Sequence, residues 1–175
     1  MAGVQIAMSY EAVEDRILMR HRAGDKDVRL WLTRRMAQQW LQASARVLEH
    51  VQGGQAQPPA QRRAVAQFNR ESAVQGTDFK KPYREPAPEE DLTPWPAAGP
   101  LLVAKLTLTA HKDGRIDLIF SGAGERPEQV KIGVSQREMH GLTHMLTMTA
   151  EKGRWGLADP NAVPTRSPGP PQRAN

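Results

Sequence analysis

Two stretches 102 residues apart decide the fold: Val28-Arg29-Leu30-Trp31-Leu32-Thr33-Arg34-Arg35 and Val130-Lys131-Ile132-Gly133-Val134-Ser135-Gln136-Arg137. Aligned without a gap, they are identical or chemically similar at six of eight positions. In each, apolar residues recur at every second position, the period of a half-buried strand, and a hydroxyl residue follows where a helix N-cap is required. After Thr33, the residues Ala37, Trp40, Leu41, Ser44, Val47, Leu48 and Val51 recur at spacings of three and four, and Gly53-Gly54 ends the run. After Ser135, the capping-box pattern Ser135-Gln136-Arg137-Glu138 opens a helix with Met139, Leu142, Met145 or Leu146, and Thr149 inward. Both stretches therefore predict a strand that runs into a capped helix.

The sequence ahead of each junction repeats the plan. Val4, Ile6, Met8 and Tyr10 alternate with polar or small residues, Arg16 to Arg22 alternates again, and Ala23-Gly24-Asp25 supplies a turn before the strand at Val28. In the second copy Leu102 to Ala110 reads as a strand, Lys112-Asp113-Gly114 as a hairpin turn, and Ile116, Leu118 and Phe120 as one face of the return strand. Ser121 to Glu128 then reads as a loop. This predicts an α+β protein built by duplication, with a first β-β-β-α unit over residues 1–52 and a second over 101–157. Neither unit alone buries enough apolar surface for comfortable stability, so the two helices are expected to share one core.

Proline marks what lies between and beyond. None falls between Met1 and Gly54, eight fall from Pro58 to Pro100, and five run from Pro160 to Pro171. Residues 53–100 thus read as a linker and residues 158–175 as a disordered tail. Within the linker, Ala64, Val65, Phe68 and Ser72 suit a short helix over Gln61 to Gln75, and Phe68, Phe79 and Tyr83 suit an arm docked on the folded units. The stretch Glu85 to Gly99 is expected to be mobile.

Composition excludes several function classes. The chain of 175 residues has no cysteine, so disulfides, thiolate metal sites and cysteine nucleophiles are absent, which suits a reducing cytoplasm. The N-terminus lacks a charged n-region and an apolar h-region, and the longest apolar run, Pro100 to Ala104, is too short to span a bilayer, so no membrane role is expected. The net charge of +5 permits an anionic partner without demanding one. His140 and His144 are four apart, but no Glu follows His140 and no third ligand is evident, so no metal and no cofactor are expected. Ser121-Gly122-Ala123-Gly124 lacks the Lys-Ser of a phosphate loop, and carboxylate clusters such as Glu89-Glu90-Asp91 lie in exposed settings. No enzymatic activity is expected.

Strand alternation does place one chemistry. If Val28, Leu30 and Leu32 face the helix, then Arg29, Trp31 and Thr33 face away, with Arg16, Leu18, Arg20 and Arg22 on the same outer side. Guanidinium groups around an indole suit single-stranded DNA or RNA, the cations neutralising phosphate and the ring accepting a stacked base. The second unit offers Lys105, Thr107, Thr109, His111, Arg115, Asp117, Ile119, Lys131 and Gly133, a mildly basic face without an aromatic. The expected nucleic-acid-binding residues are Arg16, Arg20, Arg22, Arg29, Trp31, Lys105, Arg115 and Lys131. The alternative is a protein-interaction adaptor or homodimer that uses the aromatic arm, or the second helix with Met139, Met145, Met148 and Trp155.

Asp15-Arg16-Ile17-Leu18 with Leu30-Trp31-Leu32-Thr33-Arg34-Arg35, then Phe68, Asp78-Phe79 and Pro82-Tyr83, resembles an uncharacterised family of small proteobacterial proteins over most of residues 10–157. That likeness brings no activity with it. Gly114-Arg115 followed by Lys131-Ile132-Gly133-Val134-Ser135 and a helix is similar to the repeat end of PUR-type domains, which resemble Whirly proteins. The second resemblance implies single-stranded nucleic-acid binding on curved sheets and pairing of repeats.

Overall fold

The computed structural model describes residues 5–52, 61, 64, 65, 67, 68, 71, 72 and 92–160. Three antiparallel strands, β1 (Ile6–Glu11), β2 (Arg16–Ala23) and β3 (Lys26–Leu32), run into helix α1 (Arg34–Gln52). Two short strands, β4 (Thr93–Trp95) and β5 (Leu101–Leu102), then pair in parallel with β3. A second antiparallel set, β6 (Lys105–Ala110), β7 (Ile116–Ser121) and β8 (Gln129–Val134), runs into helix α2 (Gln136–Lys152). Two strand-rich units, each followed by a helix, make up an α+β fold.

The 102-residue offset carries Arg34, where α1 begins, onto Gln136, where α2 begins, and Leu32, where β3 ends, onto Val134, where β8 ends. Local chemistry explains the shared junction. Thr33 Oγ1 accepts the Met36 amide at 3.2 Å, and Ser135 Oγ accepts the Glu138 amide at 3.2 Å, while Glu138 Oε2 accepts back from the Ser135 amide at 2.7 Å.

Each helix crosses to the other unit. α1 follows the first sheet but packs on β6, and α2 follows the second sheet but packs on β1. The helices also touch, Ser44 Oγ lying 3.6 Å from the Met139 sulfur. One core results: Ile17, Met19, Leu30 and Leu32 of the first sheet and Ile116, Leu118 and Phe120 of the second are all fully buried with Trp40, Met139 and Leu146 of the helices. The exchange is the physical answer to two units each too small to stand alone.

The two sheets are joined by a strand the sequence read as uninterrupted from Leu102 to Ala110. It is broken at Val103–Ala104, whose amides donate to opposite sides, Val103 to the Trp31 carbonyl at 3.0 Å and Ala104 to the Ser121 carbonyl at 2.9 Å. Alternation fails there, since Ala104 and Lys105 are both exposed. Val103 and Leu106 nevertheless keep their contact with the core, so the outer side of one sheet passes into the outer side of the other.

Several expectations are corrected. Within Glu85 to Gly99, Thr93–Trp95 is a strand rather than a mobile stretch; Pro94 is tolerated because β4 is a short edge strand that needs few ladder donors. The linker residues described between 61 and 72 are helical, but Phe68 is 69% exposed and Ala64 and Val65 are exposed beside it, so none of the residues described there is buried and Phe68 does not dock. Phe79 and Tyr83 lie outside the described residues, as does the tail from residue 161. Ala158, assigned to that tail, is tied to α1 by two hydrogen bonds with the Gln38 side chain, at 3.0 and 2.8 Å. Met139 and Trp155 are core residues and cannot serve a partner-binding face; Met148 is half-exposed. Trp155 packs edge-on to Tyr10 at 6.0 Å, and both donate to Asp15 Oδ1, at 2.9 and 2.8 Å, which clips the end of α2 to the β1–β2 turn.

Candidate nucleic-acid interface

The register of the first sheet sets its outer face out in rows. Glu11 pairs with Arg16; Ser9, Leu18, Trp31 and Leu102 form the next row; Ala7, Arg20 and Arg29 the next; Arg22, Asp27 and Pro94 the last. The strands put their apolar alternates, Ile17, Met19, Leu30 and Leu32, on the core side, and that burial fixes which residues are left outside. Trp31 and Leu18 are partly exposed and Leu102 is 44% exposed. The face is thus an apolar row with the indole at its centre, bordered by Arg16 on one side and by Arg20 and Arg29 on the other.

Its cations are less available than their number suggests. Arg20 makes a two-pronged pair with Asp27, Nε to Oδ1 at 3.2 Å and Nη2 to Oδ2 at 2.9 Å, and Arg29 Nε lies 4.0 Å from the same carboxylate. Asp27 itself is only 7% exposed. Arg16 stands 3.7 Å from Glu14, and Arg22 also has an interaction partner. The sequence reading counted the arginines on this face and missed Asp27 and Leu102. Alternation carried Asp27, which shares the parity of Arg29 and Trp31, but not Leu102, which the parity of Lys105, Thr107 and Thr109 assigns to the inner side and which lies outside only because the strand breaks at Val103–Ala104.

On the second sheet the outer face is organised around Asp117. This carboxylate is almost wholly buried, with Lys131 Nζ at 2.7 Å, His111 Nε2 at 2.7 Å and Arg115 Nε at 3.7 Å. Lys131 first, then His111, holds Asp117 below the usual carboxylate range. Arg115 and Lys131, expected to meet phosphate, are committed in part to this internal pairing. Lys105 lies at the start of β6, next to the joint between the sheets, and has no carboxylate partner among the described residues.

The two faces differ most at one equivalent position. Trp31 of β3 corresponds through the 102-residue offset to Gly133 of β8. A Cβ at Gly133 would sit 3.3 Å from Asp117 Oδ1 and 3.6 Å from Arg115 Cδ, so glycine makes room there for the carboxylate and its arginine. The first sheet uses the position for an aromatic ring, the second for room beside a buried carboxylate whose cationic partners reach in from solvent.

These groups set an expected pH response of stability. His21, facing inward from β2, is pushed below its ordinary 6.5 by burial, only partly opposed by its contact with the Gln5 carbonyl. The unfolded chain takes up that proton more readily, so the stability linked to His21 is complete above pH 6.5 and is lost as pH falls below it. Asp15, held down chiefly by the Trp155 hydrogen bond and then by that of Tyr10, and Asp117 act below their ordinary 3.8: their contribution is present above that value and is lost as pH falls through the folded values. Urea midpoints measured across pH should therefore fall in two stages on acidification, and His21→Gln should remove the first alone. A midpoint that holds constant down to pH 3.8 contradicts this assignment.

His140 is buried between the helices, and no group of three or more His, Asp or Glu among the described residues is placed to hold a metal. No described helix is long and apolar enough to cross a membrane. No family model, curated protein or solved structure matches the chain, which leaves the arginine-bordered row of Leu18, Trp31 and Leu102 to be read by its own chemistry.

Proposed function

We propose that the protein binds single-stranded DNA or RNA on the outer face of the first sheet, without catalysis and without a cofactor. The observation that carries this reading is the row Leu18, Trp31, Leu102 set between Arg16 and the Arg20–Arg29 row. An indole flanked by aliphatic side chains is a platform for a base, since every base has a π-face, and cations on both borders suit the phosphates on either side. Lys105, at the joint, extends the track toward Lys131 and Arg115 on the second sheet, which serves as the weaker half. A cysteine-free chain with this chemistry suits the cytoplasm, where single-stranded nucleic acid is found. The likeness to PUR- and Whirly-type domains remains part of the proposal and rests on sequence alone.

A second reading has one observation in its favour. Leu102, 44% exposed beside Trp31, gives the row an apolar end that a second copy of the chain or another protein could cover. The two are separated by titrating the protein with labelled single-stranded and duplex oligonucleotides over a series of salt concentrations, with its mass followed by sedimentation in the same buffers. Single-strand binding that persists near physiological salt and exceeds duplex binding is the expected result. Loose binding that vanishes near physiological salt, together with a stable dimer, decides for the second reading.

A further inference from the structure

We propose that Asp27 sets the preference of this face for unpaired bases over phosphate backbone, by drawing the Arg20 guanidinium away from the Trp31 ring. The inference rests on the nucleic-acid reading above. Arg20 pairs across strands with Arg29, so its diagonal neighbours on β3 are Asp27 on one side and Trp31 on the other. Its guanidinium is committed to Asp27 through two hydrogen bonds, at 3.2 and 2.9 Å. With Asp27 only 7% exposed, that pair is partly shielded from the salt that weakens surface ion pairs.

Two consequences follow for a ligand. An arginine within reach of an indole tends to lie over the ring, and one that did so here would occupy the surface a base must use. Held by Asp27, Arg20 leaves that surface open. The pair is also electrically neutral, so Arg20 adds little net charge toward phosphate, and Arg29 is partly balanced by the same carboxylate at 4.0 Å. A duplex presents phosphates but keeps its bases stacked, whereas a single strand presents both. A face that withholds charge and exposes a ring therefore favours the single strand, and Asp27 is a positioning residue for that choice.

The test uses the full chain, an oligothymidylate of about 16 nucleotides and a duplex of equal length, each titrated at several salt concentrations. Asp27→Asn keeps the shape and removes the charge. It should steepen the salt dependence of single-strand binding by about 0.7 in log–log slope, the equivalent of one further phosphate contact. It should also strengthen duplex binding more than single-strand binding, so that discrimination falls. The double variant Asp27→Asn with Arg20→Gln removes the pair together, and its slope should return to that of the wild type. A folded Asp27→Asn variant with unchanged slope and unchanged discrimination overturns the inference. Should that variant fail to fold, the double variant decides: a wild-type slope supports the neutral pair, and a shallower one shows Arg20 on phosphate and overturns it. Absence of any wild-type single-strand binding removes the nucleic-acid reading itself, whereas wild-type binding with an unaltered Asp27→Asn slope removes only the role of Asp27.

Discussion

Replacing Trp40 with alanine is expected to lower stability by about 3 to 5 kcal/mol, the cost of emptying a large aromatic site in a close-packed core. Trp40 is fully buried on α1, and its ring lies 5.3 Å from that of Phe120 on β7 at a tilt of 58°. It therefore joins the helix that belongs to the first unit to the central strand of the second. Because the helices are exchanged, a hole at this point loosens both units together instead of fraying one. For a small domain with a total stability of about 5 to 15 kcal/mol, that loss is a large fraction of the whole. Trp40→Phe provides the control. The indole Nε1 of Trp40 is buried with no hydrogen-bond partner among the described residues, so phenylalanine gives up volume but no hydrogen bond and relieves an unsatisfied donor. Urea unfolding should show a single transition for both variants, with a much smaller shift for phenylalanine. Equal losses for the two, or a Trp40→Ala transition that splits into separate unfolding of each sheet, would contradict the shared core.

The junctions were legible in the sequence because local rules suffice for them. Alternation at Val28, Leu30 and Leu32, the hydroxyl cap at Thr33 and the reciprocal box at Ser135 and Glu138 act within a few residues of one another, and each element starts where they place it. The exchange of helices was not legible. An apolar stripe such as Trp40, Leu41 and Leu48 states that a face is buried without stating against what, and only the three-dimensional path puts α1 on β6. β4 was hidden for another reason. Prolines at 94 and 96 read as breakers, yet three residues of parallel pairing on an edge ask little of the backbone. At the outer face, parity placed Arg16, Arg20, Arg29 and Trp31 on one side, but how charge is shared there depends on which diagonal a long side chain chooses. Arg20 reaches Asp27, and Lys131 and Arg115 reach Asp117. Alternation alone cannot make that choice.

The charge that these carboxylates withdraw shifts the weight of the proposed interaction onto Trp31, and the expected consequence is large. Trp31→Ala should weaken single-strand binding by about 1 to 3 kcal/mol, roughly 5- to 150-fold, if a base stacks on the indole. The ring sits mid-row between Leu18 and Leu102, with its own strand anchored by the buried Leu30 and Leu32 on the opposite side. Its removal from a partly exposed position should therefore leave the fold in place, and a urea midpoint near that of the wild type verifies this before binding is compared. Stacking depends little on ionic strength, so the loss should be nearly the same at each salt concentration. Arg29→Gln should behave differently, flattening the salt dependence while leaving high-salt binding close to the wild type, because counterion release scales with phosphate contacts. Arg115→Gln on the second sheet should change either property less, since that cation already serves Asp117. A Trp31→Ala variant that binds as tightly as the wild type, or whose loss disappears at high salt, would show that the indole is not a base platform. A wild type that forms a dimer which Trp31→Ala dissociates would give the row of Leu18, Trp31 and Leu102 to a protein partner instead.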